Sequence, residues 1–226
     1  GDSVRAEKRA RDVVAQNPKF AVGHSLLGDI AMVRNQPSAA IDAYRRAHQA
    51  EPSTGSVLRL FGALLSQDGG RPALQLGEQW LKSHPRDVAV HKAMADAHAR
   101  SGDFQKARRA YETALKLLPG DAEALNNMAN VLIRLKDPAS VKTAEAAVAN
   151  APGNALATDT LGWALFQNGQ TERALQLLRD ARLRQPGNPE IRYHLAVVLA
   201  HSGRKSEALE EIDASLKSGL AFEGMQ

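Results

Sequence analysis

The chain has 226 residues, of which 43% are hydrophobic, 24% charged and only 4% aromatic, and its formal net charge is +4. It contains no cysteine, which excludes disulfides, cysteine-ligated zinc and a thiol nucleophile within this sequence. No apolar run approaches the roughly 18 residues that a membrane-spanning helix needs. Acidic residues are interspersed with the arginine pairs Arg45-Arg46 and Arg108-Arg109, so we expect solvated helix faces there rather than a nucleic-acid-binding surface.

Proline recurs at a nearly constant spacing of about 34 residues, and such a period is typical of an array of stacked units. The series is Pro18, Pro52, Pro85, Pro119, Pro152 and Pro186. Small residues recur ten positions after each proline, at Gly28, Gly62, Ala95, Ala129, Gly162 and Ala196. They also recur twelve positions before it, at Ala6, Ala40, Ala73, Ala107, Ser140 and Ala174. Small side chains let two helices approach closely, and a proline ends the second helix of each pair.

In chain order, this pattern predicts a series of antiparallel helix pairs. Residues 1–20 are predicted to form the second helix of a truncated repeat, and residues 221–226 a truncated tail. Six full repeats are predicted between them, at 21–54, 55–87, 88–121, 122–154, 155–188 and 189–220. Turn-forming residues such as Gly69-Gly70 and Asn168-Gly169 fall between the two helices of a repeat. The predicted fold is therefore all-α, a single α-solenoid over residues 1–226.

These positions resemble the tetratricopeptide repeat (TPR) family over nearly the whole chain. The resemblance implies a right-handed superhelix in which the first helix of each repeat lines a concave groove that binds a partner protein or peptide. Residues on those first helices that lie outside the packing stripe are the candidate partner-binding residues. They are Arg59, Lys92, Asp96, Asn126, Asn127, Asn130, Asp159, Trp163, Tyr193 and His194.

Three asparagines close together on one predicted helix, Asn126, Asn127 and Asn130, stand out because asparagine is a poor helix former. Their amides offer donors and acceptors that suit either an extended peptide backbone or sugar hydroxyls. An alternative is that the amides tie adjacent helices together.

The other candidates supply charge and flat apolar surface. Arg59 and Lys92 suit anionic groups, whereas Trp163 and Tyr193 suit apolar side chains or sugar faces. Packing between repeats is the alternative for Trp163.

No residue pattern indicates catalysis, and we expect neither a metal nor a cofactor. His91 and His98 are two helical turns apart, as are His194 and His201. Such a separation, roughly 10 Å of rise, is too long for two histidines to share one metal ion without further ligands. We expect a non-catalytic scaffold.

The stretch from Asp159 to Leu165, with Gly-Trp-Ala-Leu at its end, and Asn188-Pro189-Glu190-Ile191 are similar to the last repeats of PrsT-type TPR lipoproteins of PEP-CTERM/exosortase systems. The resemblance implies an exopolysaccharide system of a Gram-negative envelope, with the protein in the periplasm or anchored to the outer membrane. Because Gly1 falls inside a repeat, we expect a segment of a longer protein whose anchor lies outside it.

Three further possibilities stay open. The groove could bind the exported polysaccharide itself, as a carbohydrate-binding solenoid. The chain could instead be the regulatory TPR domain of a larger cytosolic protein. In addition, Val13 and Val14 of the truncated first helix lack a partner helix, so the terminal repeats could pair two copies into a homodimer.

Overall fold

The computed structural model describes residues 2–217, and within that range the chain has thirteen α-helices and no strand. In chain order they are α1 (Asp2–Gln16), α2 (Ala21–Val33), α3 (Pro37–Ala50), α4 (Thr54–Leu64), α5 (Arg71–Ser83), α6 (Val88–Arg100), α7 (Phe104–Leu117), α8 (Ala122–Arg134), α9 (Ala139–Asn150), α10 (Ala155–Gln167), α11 (Thr171–Arg184), α12 (Pro189–His201) and α13 (Lys205–Lys217). A short 3₁₀ segment, Asp68–Gly70, precedes α5. The all-α prediction is confirmed for the described residues.

Within each compact unit, helices that follow each other in the chain pack together. The first and second helices of a repeat contact each other in α2–α3, α4–α5, α8–α9, α10–α11 and α12–α13. Each first helix also packs against the second helix of the preceding repeat, as in α1–α2 and α11–α12. Leu220, the predicted end of the sixth repeat, and the predicted tail at 221–226 lie outside the described residues.

The chain divides into two compact units, with the division after Gly102. The first unit contains α1 to α6, and its core includes Phe61 and Trp80. The second unit contains α7 to α13, and its core includes Leu165 and Leu178. The single solenoid over residues 1–226 stays a prediction.

Small residues lie at the closest helix contacts, as expected from their spacing. A Cβ atom added to Gly28 would lie 2.4 Å from the ring of Tyr44, and one added to Gly162 would lie 2.8 Å from Leu178. The second small series is also buried, at Ala40, Ala73, Ala107, Ser140 and Ala174. The small separation of the helices therefore requires small side chains at these places.

Gly62 departs from the predicted packing series. It is exposed, and a Cβ atom built there would meet nothing within 4 Å. The neighbouring Phe61 is buried and reaches to within 3.2 Å of the position of a Cβ on Gly77. The contact between α4 and α5 is thus made by Phe61 over a glycine of the second helix rather than by Gly62.

Each turn between the two helices of a repeat has a residue with left-handed backbone conformation at the same position. Four of these residues are glycines, Gly69, Gly102, Gly169 and Gly203, with φ between 64° and 78°. Asn35 and Lys136 stand at the same place in their repeats and have φ of 54°. Asparagine visits this region readily, but a lysine there is strained by roughly 1 kcal/mol.

Side chains six positions after a proline tie the start of a first helix to the preceding segment. His24 Nε2 lies 2.8 Å from the carbonyl oxygen of Pro18, and His91 Nε2 lies 3.0 Å from that of Pro85. The imidazole N–H donates in both cases, because a carbonyl oxygen only accepts. These two histidines therefore stabilise helix ends.

At the start of the first unit, Val14 is in contact with α2. Its Cγ2 atom lies 2.7 Å from where a Cβ on Gly23 would be, so the glycine admits the valine side chain. Val13 stays 41% exposed. Val14 thus packs on α2, the first helix of the next repeat. The absence of a partner helix from the truncated repeat, and pairing of two copies through this end, stay predictions.

Candidate functional site

The first helices α8, α10 and α12 of the second unit lie side by side, because α10 packs against both of the others. Equivalent residues of successive repeats therefore form rows across these helices. One row, seven positions after each proline, contains Asn126, Asp159 and Tyr193. Another row, eleven positions after the proline, contains Asn130 and Trp163. We call the surface formed by these rows the α8–α10–α12 face.

Amide groups occupy the α8 edge of this face. Asn130 is exposed, whereas Asn126 and Asn127 are half-buried. Asn126 Nδ2 donates a hydrogen bond to Asn127 Oδ1 over 3.4 Å. Asn126 Oδ1 is buried and, among the described residues, has no hydrogen-bond partner. An unmet acceptor of this kind costs about 1–3 kcal/mol, so the amide cluster is not fully satisfied by the fold alone.

A buried carboxylate positions an imidazole between α10 and α12. Asp159 is 4% exposed, and its two oxygens lie 2.9 and 3.1 Å from His194 Nδ1. This geometry places a proton on Nδ1, which donates to the carboxylate. Asp159 is one of the predicted partner-binding residues, and in the structure its buried carboxylate contacts His194.

The imidazole in turn stacks on Trp163. The ring centroids of His194 and Trp163 are 4.3 Å apart, and the planes differ by 15°. Phe166 lies 5.4 Å from Trp163, and His201 meets Phe166 edge-on at 5.2 Å. We call Asp159, Trp163, Phe166, His194 and His201 the aromatic cluster. Both Trp163 and Phe166 also pack against the core of the second unit, so Trp163 contributes to packing between repeats.

Sequence reasoning did not predict the contact between His201 and Phe166. A signal was present, because His194 and His201 are two turns apart on one side of α12 and two aromatic residues of α10 lie on one side of their helix. In the structure the seven-residue spacing of the two histidines brings each of them against an aromatic ring of α10.

The remaining candidates lie in the first unit. Arg59 of α4 is half-exposed, and its Nε lies 3.6 Å from Asp29 Oδ1 of α2. Tyr44 also donates to Asp29 Oδ1 over 2.7 Å, and burial, followed by this hydrogen bond, raises the pKa of the tyrosine. Lys92 and Asp96 are half-buried on α6. The sequence analysis did not predict Asp29. Its carboxylate places a negative charge beside Arg59, which was predicted to bind anionic groups.

No group of three or more His, Asp or Glu side chains within residues 2–217 is arranged to hold a metal ion. Over the same residues, no helix has both the length and the apolar character needed to cross a bilayer.

The helix pairs recur at the spacing of the prolines, and the candidate residues lie on the first helices of these pairs. This arrangement defines a helical-repeat scaffold. Comparison with known families agrees with this class. Residues 10–125 match the family described as the TPR domain of cytochrome c-type biogenesis protein H, and residues 160–219 match the tetratricopeptide repeat. The chain belongs to the TPR family, and the first match covers just over half of its length.

Among curated proteins, the chain is similar to two cellulose synthase operon proteins. It is 30% identical over 164 residues to cellulose synthase operon protein C of Pseudomonas fluorescens, covering 68% of this chain and 13% of that protein. It is 26% identical over 233 residues to cellulose synthase 2 operon protein C of Komagataeibacter xylinus, covering 94% and 18%. Tetratricopeptide repeat protein 21B of Mus musculus is 30% identical over 138 residues, covering 60% and 10%. The chain thus spans less than a fifth of the length of each of these relatives.

Solved structures with the same fold support the TPR prediction. A tetratricopeptide repeat protein from Parabacteroides merdae gives a TM-score of 0.73 at 15% identity, covering 88% of this chain and 79% of that one. The Cut9-Hcn1 structure gives a TM-score of 0.75 at 16% identity, covering 96% of this chain and 44% of that one. MamA from Desulfovibrio magneticus RS-1 gives a TM-score of 0.63 at 24% identity, covering 72% of this chain and 93% of that one. These likenesses confirm the TPR fold.

Proposed function

We propose that the chain is a non-catalytic scaffold that binds an extended segment of a partner protein on the α8–α10–α12 face. The observation that carries the proposal is the placement of unsatisfied and exposed amides, at Asn126 and Asn130, in the same rows as the aromatic cluster. An amide side chain both donates and accepts, so it can bind the N–H and the C=O of an extended backbone.

The aromatic cluster supplies apolar area that is already ordered before binding. Trp163 is held by the stacked imidazole of His194, and His194 is held by the buried carboxylate of Asp159. A partner that binds beside such a rigid surface loses less side-chain entropy than one that must order it. The amides would therefore fix the backbone of the partner, and the rings would select its side chains.

A polysaccharide is the second candidate for the same face. Amides beside aromatic rings suit sugars, and two relatives are named after cellulose synthase operons. However, the imidazole of His194 covers one face of the Trp163 ring, and Trp163 also packs against the core of the second unit. A sugar needs an open ring face for stacking, which favours the protein partner.

The proposed setting is an exopolysaccharide system of a bacterial envelope, with the chain in the periplasm or at the outer membrane. The similarity to two cellulose synthase operon proteins supports this setting. The narrower form of the proposal, a PEP-CTERM/exosortase system, rests on the Gly-Trp-Ala-Leu and Asn-Pro-Glu-Ile stretches of the second unit. The partner would then be a protein that acts in polymer export or in protein sorting.

Site-specific crosslinking followed by calorimetry tests the proposal. A photoreactive amino acid at position 130 would capture the partner in envelope extracts, and mass spectrometry would identify the crosslinked segment. A synthetic peptide of that segment is then titrated into the wild type and into Asn130→Ala, with Gln176→Ala as the control. Gln176 is an exposed amide on the second helix α11, outside the α8–α10–α12 face.

We expect the peptide to bind the wild type and Gln176→Ala equally, and Asn130→Ala about tenfold more weakly, since a lost hydrogen bond of about 1.4 kcal/mol corresponds to that factor. A cello-oligosaccharide titrated in parallel separates the two candidates. Binding of the oligosaccharide without the peptide would favour the carbohydrate alternative. Equal peptide binding by Asn130→Ala and the wild type would contradict the proposed face.

A further inference from the structure

The first unit contains a cavity of about 280 Å³ between α1, α2 and α3. Charged side chains make up a large part of its lining. Three of them are arginines, Arg11 of α1, Arg34 at the end of α2 and Arg46 of α3, and two are carboxylates, Glu7 and Asp42. We call it the α1–α3 cavity.

Glu7 is the first departure from the repeat pattern at this cavity. The equivalent position is Ile41 in α3 and Leu175 in α11, and both of these side chains are buried. The carboxylate of Glu7 instead accepts hydrogen bonds from Arg34 and, over 2.5 Å, from Arg11. These bonds, that of Arg34 first, lower the pKa of Glu7. An ionised carboxylate thus orients two guanidiniums where α3 and α11 have an apolar side chain.

Ala39 is the second departure. An ion pair crosses the equivalent groove between α9 and α11, where Arg173 Nη2 lies 3.5 Å from Glu145 Oε1. Another crosses between α11 and α13, where Arg179 Nη2 lies 3.3 Å from Glu207 Oε2. In α3 the position of Arg173 is occupied by Ala39. A methyl group cannot form such an ion pair, so the α1–α3 cavity stays open between its two second helices.

This side of a repeat faces solvent in the middle of the described chain as well. The side chains of Arg173 and Glu145 are 58% and 48% exposed, although other helices precede and follow α9–α11. The α1–α3 cavity likewise lies between two second helices, and its walls come from three helices that are all described. Its opening therefore corresponds to a surface that is also exposed within the array.

The three guanidiniums keep most of their hydrogen-bond donors for a ligand. Among the described residues, Arg11 and Arg34 each donate one side-chain hydrogen bond, in both cases to Glu7. Arg46 is exposed and, over the same part of the chain, forms no ion pair and donates no side-chain hydrogen bond. A guanidinium has five N–H donors, so each of these side chains can bind a further acceptor.

The charge and the size of the cavity define the class of ligand. Its three arginines outnumber its two carboxylates, and Asp42 Oδ1 also lies 3.2 Å from Arg45 Nη1. A cavity with an excess of positive charge attracts an anion. Guanidiniums bind carboxylate and phosphate oxygens in pairs. The volume is near the lower end of the range for small-molecule pockets, about 300–1,000 Å³, which favours a compact ligand.

We propose that the α1–α3 cavity binds a small molecule with a carboxylate or phosphate group, and that Arg11, Arg34 and Arg46 contact this group. Glu7 holds two of the guanidiniums in place before the ligand arrives, which lowers the entropy cost of binding. Arg46 supplies a positive charge that no described carboxylate pairs with. The site belongs to the first unit and is independent of the proposed binding of a partner on the α8–α10–α12 face.

Nuclear magnetic resonance titrations of the full, ¹⁵N-labelled chain test this site. Galacturonate, galactose 6-phosphate and galactose are the probes, because they share one sugar and differ in the anionic group. Ionic strength is held constant. The wild type is compared with Arg46→Gln and with Arg109→Gln. Arg109 is the matched control, because it is an exposed arginine of α7 that does not line the cavity and has no ion pair among the described residues.

We expect galacturonate, galactose 6-phosphate or both to cause saturable shifts of signals from α1, α2 and α3, and galactose to cause none. The anion that saturates identifies the carboxylate or the phosphate as the recognised group. Arg46→Gln should weaken binding about tenfold, since a charge-assisted hydrogen bond is lost, whereas Arg109→Gln should bind as the wild type does.

Three results would overturn the proposal. The first is the absence of saturable shifts at the cavity with both anions. The second is unchanged binding by Arg46→Gln, which would exclude this arginine as a contact. The third is equal weakening by Arg46→Gln and Arg109→Gln, because the anion would then respond only to the overall charge of the protein.

Discussion

The pair formed by Asp159 and His194 provides a quantitative test of how the aromatic cluster is built. Its side chains are 6% and 12% exposed, so water cannot readily replace either partner. Changing Asp159 to alanine leaves the Nδ1–H of His194 without an acceptor. A hydrogen bond to a charged group contributes about 1.5–3 kcal/mol, and the stack of His194 on Trp163 adds roughly 0.5–1.5 kcal/mol. If both contributions are lost, we expect Asp159→Ala to lower the free energy of unfolding by about 2–4 kcal/mol.

A double-mutant cycle isolates the pair. Asp159→Ala, His194→Ala and the double variant are unfolded in urea and followed by far-UV circular dichroism. The expected coupling free energy is about 1–3 kcal/mol. Asp159→Asn keeps one acceptor oxygen and should lose less stability than the alanine variant. The fluorescence of Trp163 should change in each variant that frees the imidazole, while Trp80 of the first unit contributes a constant background.

Asp180→Ala serves as the exposed comparison. The carboxylate of Asp180 pairs with Arg184 on the surface of α11, and the two side chains are 43% and 46% exposed. Its removal should change stability little. The reasoning would be refuted if the stability losses of Asp159→Ala and His194→Ala simply added up in the double variant. It would also be refuted if Asp159→Ala were neutral in stability but lost partner binding, since Asp159 would then be a direct ligand contact.

Three other predictions concern the fold. Lys136→Gly should raise the free energy of unfolding by roughly 1 kcal/mol, and Asn35→Gly by less, because asparagine tolerates positive φ; urea titrations compare them. Gly28→Ala should lower the unfolding midpoint by forcing Tyr44 to move, and an unchanged midpoint would contradict the close contact. Burial raises the pKa of Asp87, but its hydrogen bonds outweigh this effect and leave the pKa below its usual value. Stability from this carboxylate is therefore present above about pH 4 and is lost as the pH falls through the folded-state pKa; the stability difference between wild type and Asp87→Ala should shrink over that range.

The periodic prolines and small residues were sufficient to predict the helix pairs. These signals are local, because a proline ends a helix whatever surrounds it, and a left-handed turn residue is needed wherever two helices meet in this way. The predicted repeats accordingly begin at or within a residue of α2, α4, α6, α8, α10 and α12. The amides of Asn126 and Asn130 were also found from sequence, because their cost to a helix is intrinsic to the residue type.

Tertiary structure alone decided which of these side chains remain open. Asp159 and Asn130 are both polar residues on first helices, yet the first is buried beneath His194 and the second is exposed. Gly62 likewise follows the period of the small residues but lies outside the helix contact that Phe61 fills. A repeat period fixes the positions of residues along each helix. Burial depends instead on the size and shape of side chains on neighbouring helices, which are distant in sequence and meet only when the repeats pack.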